Sequence, residues 1–209
     1  MPHDHKAFKT EQEAFWAGDF GTAYMARNRG ALPIASNANL FSRALGRCHA
    51  TDSLIEFGAN IGLNLRALQI LFPKQEQHAI EINADAADEL RSFLTADHVH
   101  QSSILDFTPQ RTWDIVLIKG VLIHINPDAL GSVYGKLVDA CGRYLLVCEY
   151  YNPSPVAVPY RGHSDRLFKR DFAGEIMDAY PQMKLTDYGF VYRRDPNFPQ
   201  DDRFLLEKR

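Results

Sequence analysis

The fold is decided by the stretch Leu54-Ile55-Glu56-Phe57-Gly58-Ala59-Asn60-Ile61-Gly62-Leu63-Asn64. Its apolar run, which begins at Ser53, predicts a buried strand, and a helix is expected from about Leu63. Between them lies a turn with glycines at positions 58 and 62. Glycine lets a ligand approach the backbone closely because it has no Cβ atom. A strand, a glycine turn and a helix N-terminus in succession favour a site for a nucleotide-like ligand.

From residue 53 onward, apolar runs typical of strands alternate with amphipathic segments typical of helices. This alternation predicts a parallel sheet with right-handed crossovers and helices on both faces. The last two predicted strands have no helix between them, so they are expected to form an antiparallel hairpin at the sheet edge. The predicted fold class is therefore α/β, a Rossmann-like doubly wound sheet of seven strands with an antiparallel C-terminal hairpin. The strands are expected at 53–57, 77–82, 98–101, 113–118, 143–150, 184–192 and 203–208, and the helices at 63–72, 84–94, 127–140 and 170–180.

Residues 1–50 precede the first strand, and we expect them to form an N-terminal helical cap or lid on an α/β domain of residues 51–209. Thr10 and Glu13 have the spacing of a capping box, so a helix is expected to begin there. This helix carries Phe15, Trp16, Tyr24 and Met25 and is interrupted by two glycines. A second helix is expected from Ser36 to Leu45.

The composition excludes several classes of function. The net charge of −3 gives no reason to expect a nucleic-acid partner. No run approaches the roughly 20 apolar residues that span a bilayer, and residues 1–6 lack the apolar core of a signal peptide. The three cysteines have no metal-ligand spacing and indicate reduced thiols, so we expect a cytoplasmic protein. His98 and His100 share a strand face without a third ligand nearby, so no metal site is expected; the oligomeric state is not indicated.

The glycine turn narrows the kind of ligand. It reads Gly58-x-Asn60-x-Gly62, whereas a dinucleotide-binding turn has the pattern G-x-G-x-x-G. Asn tolerates a positive φ, but a pyrophosphate needs a closer backbone approach than Asn allows at that position. The turn therefore favours a ligand without a pyrophosphate. Glu81 ends the second predicted strand, where a carboxylate can accept hydrogen bonds from both hydroxyls of a ribose.

These residues resemble the motifs of class I S-adenosylmethionine-dependent methyltransferases. Glu56 to Gly62 resembles the first motif, E/D-x-G-x-G-x-G, with Asn60 as the one departure, and Lys119 to Ile125 resembles the segment after the fourth strand. The resemblance implies methyl transfer, with S-adenosyl-L-methionine as cofactor and S-adenosyl-L-homocysteine as product. It implies that Glu56 holds the amino group of the cofactor, Glu81 its ribose and Ile82 its adenine. The full set of expected cofactor residues is Glu56, Gly58, Asn60, Gly62, Glu81, Ile82, Ser103, Ile104, Leu105, Asp106, Lys119 and Gly120, together with Tyr24 from the cap.

A closer resemblance covers nearly the whole chain. It rests on Phe15-Trp16-x-Gly18-x-Phe20-Gly21-x-x-Tyr24, Glu149-Tyr150-Tyr151-Asn152-Pro153, Tyr160 to Ser164, Phe168 to Glu175 and Asp195 to Asp202. These segments resemble the methyltransferases associated with pseudaminic acid biosynthesis. The resemblance implies a small polar acceptor, namely a nonulosonic (pseudaminic-acid-type) sugar or a related metabolite.

The acceptor is expected at the loops that follow the fourth and fifth strands, because ligands of such sheets bind at the carboxyl ends of the strands. His124 and His163 are the candidate general bases, since the reference pKa of histidine lies near neutral pH. His124 can equally be a structural residue that closes the loop before the helix expected at Pro127. The candidate acceptor-binding residues are Tyr150, Tyr151, Asn152, Tyr160, Arg161 and Lys169.

Three classes of function stay open on the sequence alone. The first is a methyltransferase acting on a sugar or on another small molecule. The second is an NAD-type oxidoreductase, which Asn60 and the expected terminal hairpin disfavour. The third is a non-catalytic accessory protein that binds the cofactor without transferring its methyl group.

Overall fold

The structure is a computed structural model that describes residues 8–49, 51–191 and 202–208. Residues 1–7 and the expected connection between the last two strands, 193–199, lie outside the described residues. The same is true of residues 195–201, which form most of the last segment of the closer resemblance. The nine strands of the described residues are β1 (Ser53–Phe57), β2 (Glu76–Glu81), β3 (Val99–Gln101), β4 (Trp113–Lys119), β5 (Cys141–Glu149), β6 (Val156–Ala157), β7 (Phe168–Lys169), β8 (Met183–Gly189) and β9 (Asp202–Lys208).

Seven of these strands form one mixed sheet in the order β3-β2-β1-β4-β5-β9-β8. The strands β1 to β5 are parallel to one another. Strand β9 runs antiparallel to both of its neighbours, β5 and β8. The predicted Rossmann-like sheet of seven strands with an antiparallel hairpin is thus confirmed.

Helices cover both faces of this sheet, as the alternating pattern predicted. Side chains of β1 alternate in direction, so Ile55 and Phe57 join one apolar core and Leu54 joins the other. The first core is covered by the sixth and seventh helices and the second by the third, fourth and fifth. The seven α-helices that the structure describes are α1 (Glu11–Ala17), α2 (Asp19–Arg27), α3 (Ala31–Ala44), α4 (Leu63–Leu71), α5 (Ala84–Arg91), α6 (Leu130–Ala140) and α7 (Phe172–Ala179).

The N-terminal region differs from the expectation in two respects. The single helix expected after Thr10 is two helices, α1 and α2, because Gly18 has an extended backbone that caps both. The capping box itself is formed: the Thr10 hydroxyl accepts from the Glu13 N–H at 3.2 Å. The helix expected from residue 36 begins earlier, at Ala31, after Gly30 with a φ of 115°. It tolerates Pro33 because a proline in the first helical turn has no intrahelical hydrogen bond to lose.

Two further stretches refine the expected elements. The helix expected at 127–140 begins as a 3₁₀ turn, Pro127–Ala129, whose Asp128 N–H is capped by the Asn126 side chain at 3.0 Å. The stretch 151–168, which follows β5, contains β6, which pairs with β7, and an isolated bridge between Tyr160 and His163. Strands of two residues are too short to leave a periodic pattern in the sequence. Among the helices that the structure describes, none combines the length and the apolar character needed to cross a membrane.

Candidate functional site

A cavity of about 570 Å³ lies at the carboxyl ends of the parallel strands, between the loops after β1 to β5 and the helices α1 to α3. Its volume falls in the range of small-molecule sites, roughly 300–1,000 Å³. The strand ends converge here because the parallel strands share one direction. The predicted site residues that line the cavity are Tyr24, Gly58, Asn60, Glu81, Ile82, Ser103, Ile104, Leu105, Lys119, Gly120, His124, Tyr150 and Tyr160.

The turn after β1 has the left-handed geometry that its sequence suggested. Asn60 has a φ of 48°, and Gly58 and Gly62 have φ values of 78° and 76°. A Cβ atom on Gly62 would lie 2.5 Å from the Phe93 ring and 2.8 Å from Leu90. Gly62 therefore lets α4 pack close to the chain after α5, and it does not line the cavity.

Glu81 holds the same turn from the end of β2. Its carboxylate accepts from the backbone N–H of Asn60 at 2.7 Å and of Asn83 at 2.8 Å. Burial raises the pKa of this carboxyl, and the backbone hydrogen bonds oppose that effect. Each carboxylate oxygen has two lone pairs, so both oxygens can accept a further hydrogen bond from a ligand in the cavity.

Glu56 lies behind the cavity wall, fully buried, and is not one of the lining residues. Its Oε1 accepts from the Asn64 side-chain amide at 2.6 Å, whereas its Oε2 has no hydrogen-bond partner among the described residues. Burial raises the pKa of Glu56 to about 8, against the opposing effects of Asn64 and Lys119. Asn64 and Lys119 both line the cavity, so Glu56 lies directly behind the residues of the cavity wall.

The loop after β3 is joined to the cap by a contact that the sequence did not reveal. The Ser103 hydroxyl donates to Glu13 Oε1, and it accepts from the Leu105 N–H at 3.0 Å. Glu13, expected only as a capping residue, is buried and lines the cavity. Asp106, expected at the adenine, does not line the cavity and pairs with Lys9 at 2.6 Å.

His124 lies in a 3₁₀ turn after β4 and is 8% exposed. Its Nδ1 is 2.6 Å from the backbone oxygen of Arg166, and its ring lies 4.8 Å from the Trp16 ring and 5.1 Å from the Tyr160 ring. Burial lowers its pKa to about 4, although the hydrogen bond to Arg166 opposes the shift. The imidazole is therefore neutral at pH 7, and its low pKa also makes it a weaker base than a free histidine.

Glu149 shapes the loop that carries His124. Its carboxylate, buried at the end of β5, accepts from the N–H groups of Val121 and Leu122 at 2.9 Å each and of Ile123 at 3.5 Å. These N–H groups lie at the start of the 3₁₀ turn, where they have no acceptor within the turn itself. In the sequence Glu149 supports only a family resemblance, because nothing in its local pattern points to a loop 26 residues earlier.

Five predicted residues of the acceptor side do not line the cavity: Tyr151, Asn152, Arg161, His163 and Lys169. The Arg161 guanidinium lies over the Tyr160 ring at 5.7 Å, and the Lys169 ammonium over the Tyr150 ring at 5.1 Å. His163 is exposed, and its ring lies edge to face with the Phe15 ring, with a distance of 5.4 Å between the ring centroids. Other lining residues were missed because only folding brings them there: Gln12, Glu13, Trp16, Ser36, Asn37, Asn64 and Asn126.

The expectation that His98 has no third ligand nearby requires correction. Glu76, His78 and His98 offer ligand atoms that all lie within 4.8 Å of one another. His78 belongs to β2 and precedes the cavity end of that strand, so its proximity to His98 arises only from the pairing of β2 with β3.

No protein-family model matches the chain, and no curated protein matches it. Solved structures share its fold. The Burkholderia thailandensis 1,6-didemethyltoxoflavin-N1-methyltransferase, with bound 1,6-didemethyltoxoflavin and S-adenosylhomocysteine, has a TM-score of 0.68 at 15% identity over 99% of this chain and 93% of its own. The magnesium protoporphyrin IX methyltransferase of Synechocystis PCC 6803, with bound S-adenosylmethionine, has a TM-score of 0.68 at 10% identity over 98% and 100%. Streptomyces venezuelae DesVI has a TM-score of 0.66 at 14% identity over 92% and 99%. The chain thus shares the Rossmann-like fold of these solved structures.

Proposed function

We propose that this chain is an S-adenosyl-L-methionine-dependent methyltransferase that acts on a small polar acceptor in the cytoplasm. The observation that carries the proposal is the cavity at the carboxyl ends of the strands, where the Gly58–Gly62 turn, Glu81 and Ser103–Leu105 meet. This is the place where open α/β sheets bind their ligands. Proteins that share the fold have S-adenosylmethionine or S-adenosylhomocysteine bound in their solved structures.

The donors and acceptors around the cavity fit this cofactor. Glu81 would hold the two ribose hydroxyls through its remaining lone pairs. Ile82, Ile104 and Leu105 would pack against the adenine. The unpartnered Oε2 of Glu56 would attract the ammonium group of the cofactor, with Asn64 between them or through a water molecule. When bound, the cofactor supplies a methyl group already activated on a sulfonium, so the protein contributes mainly alignment.

The acceptor would lie at the end of the cavity bordered by Trp16, His124, Tyr150 and Tyr160. Planar rings with polar edges suit a ring-shaped polar molecule. We propose a nonulosonic sugar of the pseudaminic-acid type, or a related metabolite, because segments on this side of the chain resemble that methylase family. His124 would take the proton of the acceptor hydroxyl on its Nε2.

The cap would act as a lid over the cofactor. Glu13 bonds to Ser103, and the Asn83 side chain donates to the backbone oxygens of Trp16 and Ala17 at 3.4 Å and 3.3 Å. These contacts join the cap to the loops that would hold ribose and adenine. Deletion of residues 1–30 should then weaken cofactor binding more than it lowers the free energy of unfolding; equal losses would count against a lid.

Calorimetry and mass spectrometry test the proposal. Titration with S-adenosylmethionine and S-adenosylhomocysteine should give saturable binding, and titration with NAD should give none. A panel of nonulosonic acids, their nucleotide-linked forms and other small hydroxyl and amine compounds should then contain an acceptor that gains the mass of one methyl group. Binding of NAD alone would favour the oxidoreductase. Cofactor binding without S-adenosylhomocysteine release on any acceptor would favour the non-catalytic accessory.

A further inference from the structure

We propose that Glu76, His78 and His98 form a binding site for one divalent transition-metal ion of the Zn²⁺ class. The three residues lie towards the amino end of β2, whereas the cavity lies at its carboxyl end. Five residue steps separate Glu76 from Glu81 in this strand. That is about 16 Å of extended chain. The site is therefore separate from the proposed cofactor site and does not depend on the proposed function.

The register of two parallel strands brings the residues together. Ala79 of β2 is aligned with Val99 of β3, so His78 and His98 directly precede an aligned pair. Their rings stack with centroids 4.0 Å apart and an interplanar angle of 21°. Glu76 is two residues before His78 and thus projects from the same face of the strand. One carboxylate and two imidazoles therefore project side by side from one patch of the sheet.

The three ligand atoms lie close to one another. Glu76 Oε1 lies 2.6 Å from His78 Nε2 and 3.9 Å from His98 Nε2. The three ligand atoms lie within 4.8 Å of one another. Zinc binds imidazole nitrogen and carboxylate oxygen at about 2.0–2.2 Å, which places neighbouring ligands roughly 3–4 Å apart. The stacked rings hold their lone pairs in nearly parallel planes, so at least one imidazole must rotate to seat an ion, with the remaining position open to water.

The chemistry of the ligands selects the ion. Two imidazoles and one carboxylate suit Zn²⁺ and its neighbours in the first transition row, and not Mg²⁺ or Ca²⁺, which prefer oxygen ligands. His78 Nδ1 is buried and has no hydrogen-bond partner among the described residues. In this structure the Glu76 carboxylate, 2.6 Å from His78 Nε2, accepts the imidazole hydrogen on that nitrogen. When an ion replaces this hydrogen bond, the hydrogen can move to the unpartnered Nδ1 and leave the Nε2 lone pair for the ion.

The Arg111 guanidinium pairs with the carboxylate that the ion would bind. Its Nη1 lies 2.9 Å from the same Glu76 oxygen. Its side chain is 48% exposed, so it can turn into solvent when an ion binds. Arg111 and the metal then compete for one carboxylate. This competition separates a metal site from a merely structural cluster, because removal of Arg111 should strengthen metal binding.

An ion bound here would join β3 to the rest of the sheet. Strand β3 has three residues and, within the part of the chain that the structure describes, pairs on one side only, with β2. An ion bound to His98, just before β3, and to Glu76 and His78 of β2 would link this short edge strand to its neighbour. Saturating Zn²⁺ should therefore raise the melting temperature of the protein.

The test uses the full, untagged chain with His3→Ala and His5→Ala substitutions, because the N-terminal histidines can bind metal themselves. Calorimetry with ZnCl₂ and absorbance with CoCl₂ should show one ion per chain. His98→Phe keeps a stacked ring but removes a ligand nitrogen, and should weaken Zn²⁺ binding at least tenfold. Arg111→Ala should strengthen it several-fold, and His49→Ala, an exposed histidine elsewhere, should leave it unchanged.

Three results would overturn the proposal. They are the absence of saturable binding up to millimolar Zn²⁺, equal affinity in the His98→Phe variant, and weaker binding after Arg111→Ala. Circular dichroism and thermal melts of each variant, recorded without metal, establish that the fold is intact. A variant that fails this check is replaced by Glu76→Gln, which removes the charged ligand and is expected to weaken binding in the same way.

Discussion

The Nδ1 atom of His124 lies 2.6 Å from the backbone carbonyl oxygen of Arg166. A carbonyl oxygen only accepts hydrogen bonds, so Nδ1 must carry the hydrogen and Nε2 must hold the lone pair. The tautomer of this cavity residue is therefore determined by a loop residue 42 positions later in the chain. Both the activity and the acid sensitivity of the protein should depend on it.

Replacement of His124 by Asn should lower kcat by about 100-fold, because the Asn amide can still donate to the Arg166 carbonyl but offers no base in place of Nε2. The affinity for S-adenosylmethionine should stay within about twofold if the residue acts on the acceptor side. Single-turnover assays and calorimetry measure the two quantities. Unchanged turnover would leave His124 with a structural role only; His49→Ala serves as the matched control.

Acid should destabilise the protein through the same residue. The unfolded chain binds a proton at His124 near pH 6.5, and the folded chain only near pH 4. Stability is thus complete above pH 6.5 and is lost as the pH falls towards 4, by about 3 kcal/mol for this group. Urea titrations at pH 7.5 and pH 4.5 should show a smaller loss in His124→Asn than in the parent protein. Equal losses in both would contradict a buried neutral imidazole.

Glu56→Gln should stabilise the ligand-free protein at alkaline pH while weakening cofactor binding. The folded carboxyl has a raised pKa of about 8, so stability is complete below pH 4.5 and is lost as the pH rises through 8. Gln does not titrate and keeps an oxygen for Asn64, so its melting temperature at pH 8.5 should be higher by roughly 3–6 °C. Affinity for S-adenosylmethionine should fall about 10–100-fold, because a charge-assisted contact with its ammonium is lost. A gain in stability without loss of affinity would separate Glu56 from the cofactor.

Gly62→Ala should destabilise the protein by about 3 kcal/mol, because its positive φ and its contact with Phe93 leave no room for a methyl group. Gly131 in α6 is the matched control, because a Cβ atom at this position would have no neighbouring atom within 4 Å. Gly131→Ala should be neutral or stabilise by up to about 1 kcal/mol. Chemical denaturation of both variants checks the difference, and similar values would argue against a special conformation at the turn.

Glu149→Gln should lower both stability and kcat. The amide keeps one acceptor oxygen for Val121 and Leu122, but it presents N–H donors towards the Ile123 N–H. We expect a loss of about 2 kcal/mol in unfolding free energy. If the carboxylate positions His124, kcat should fall several-fold with little change in KM. A loss of stability with unchanged kcat would confine Glu149 to a role in the fold.

The sequence was sufficient for the sheet and for the side of the site formed by strand ends. Hydrophobic periodicity and the residue types of turns are local properties of the sequence. Once the strands are known to be parallel, Gly58, Glu81 and Lys119 must lie at one edge of the sheet. Contacts between distant segments were not accessible in this way. Glu13 meets Ser103 across 90 positions, and Arg161 points to a ring and not to the cavity, because docking of the cap and loop depends on packing. The same holds for His78 and His98, whose contact follows from strand register.

The position of β9 has a consequence for biosynthesis. This strand is translated after β8, yet it lies between β5 and β8 in the sheet. Leu205 of β9 also belongs to the apolar core that buries Leu40 and Phe41 of the cap. While the ribosome is still making β9, β8 has no partner in the sheet and the cap core lacks one wall. Most of the domain can fold during translation. However, β8 and the complete cap core can form only after β9 has left the ribosome, and the apolar surface that β9 covers stays exposed until then.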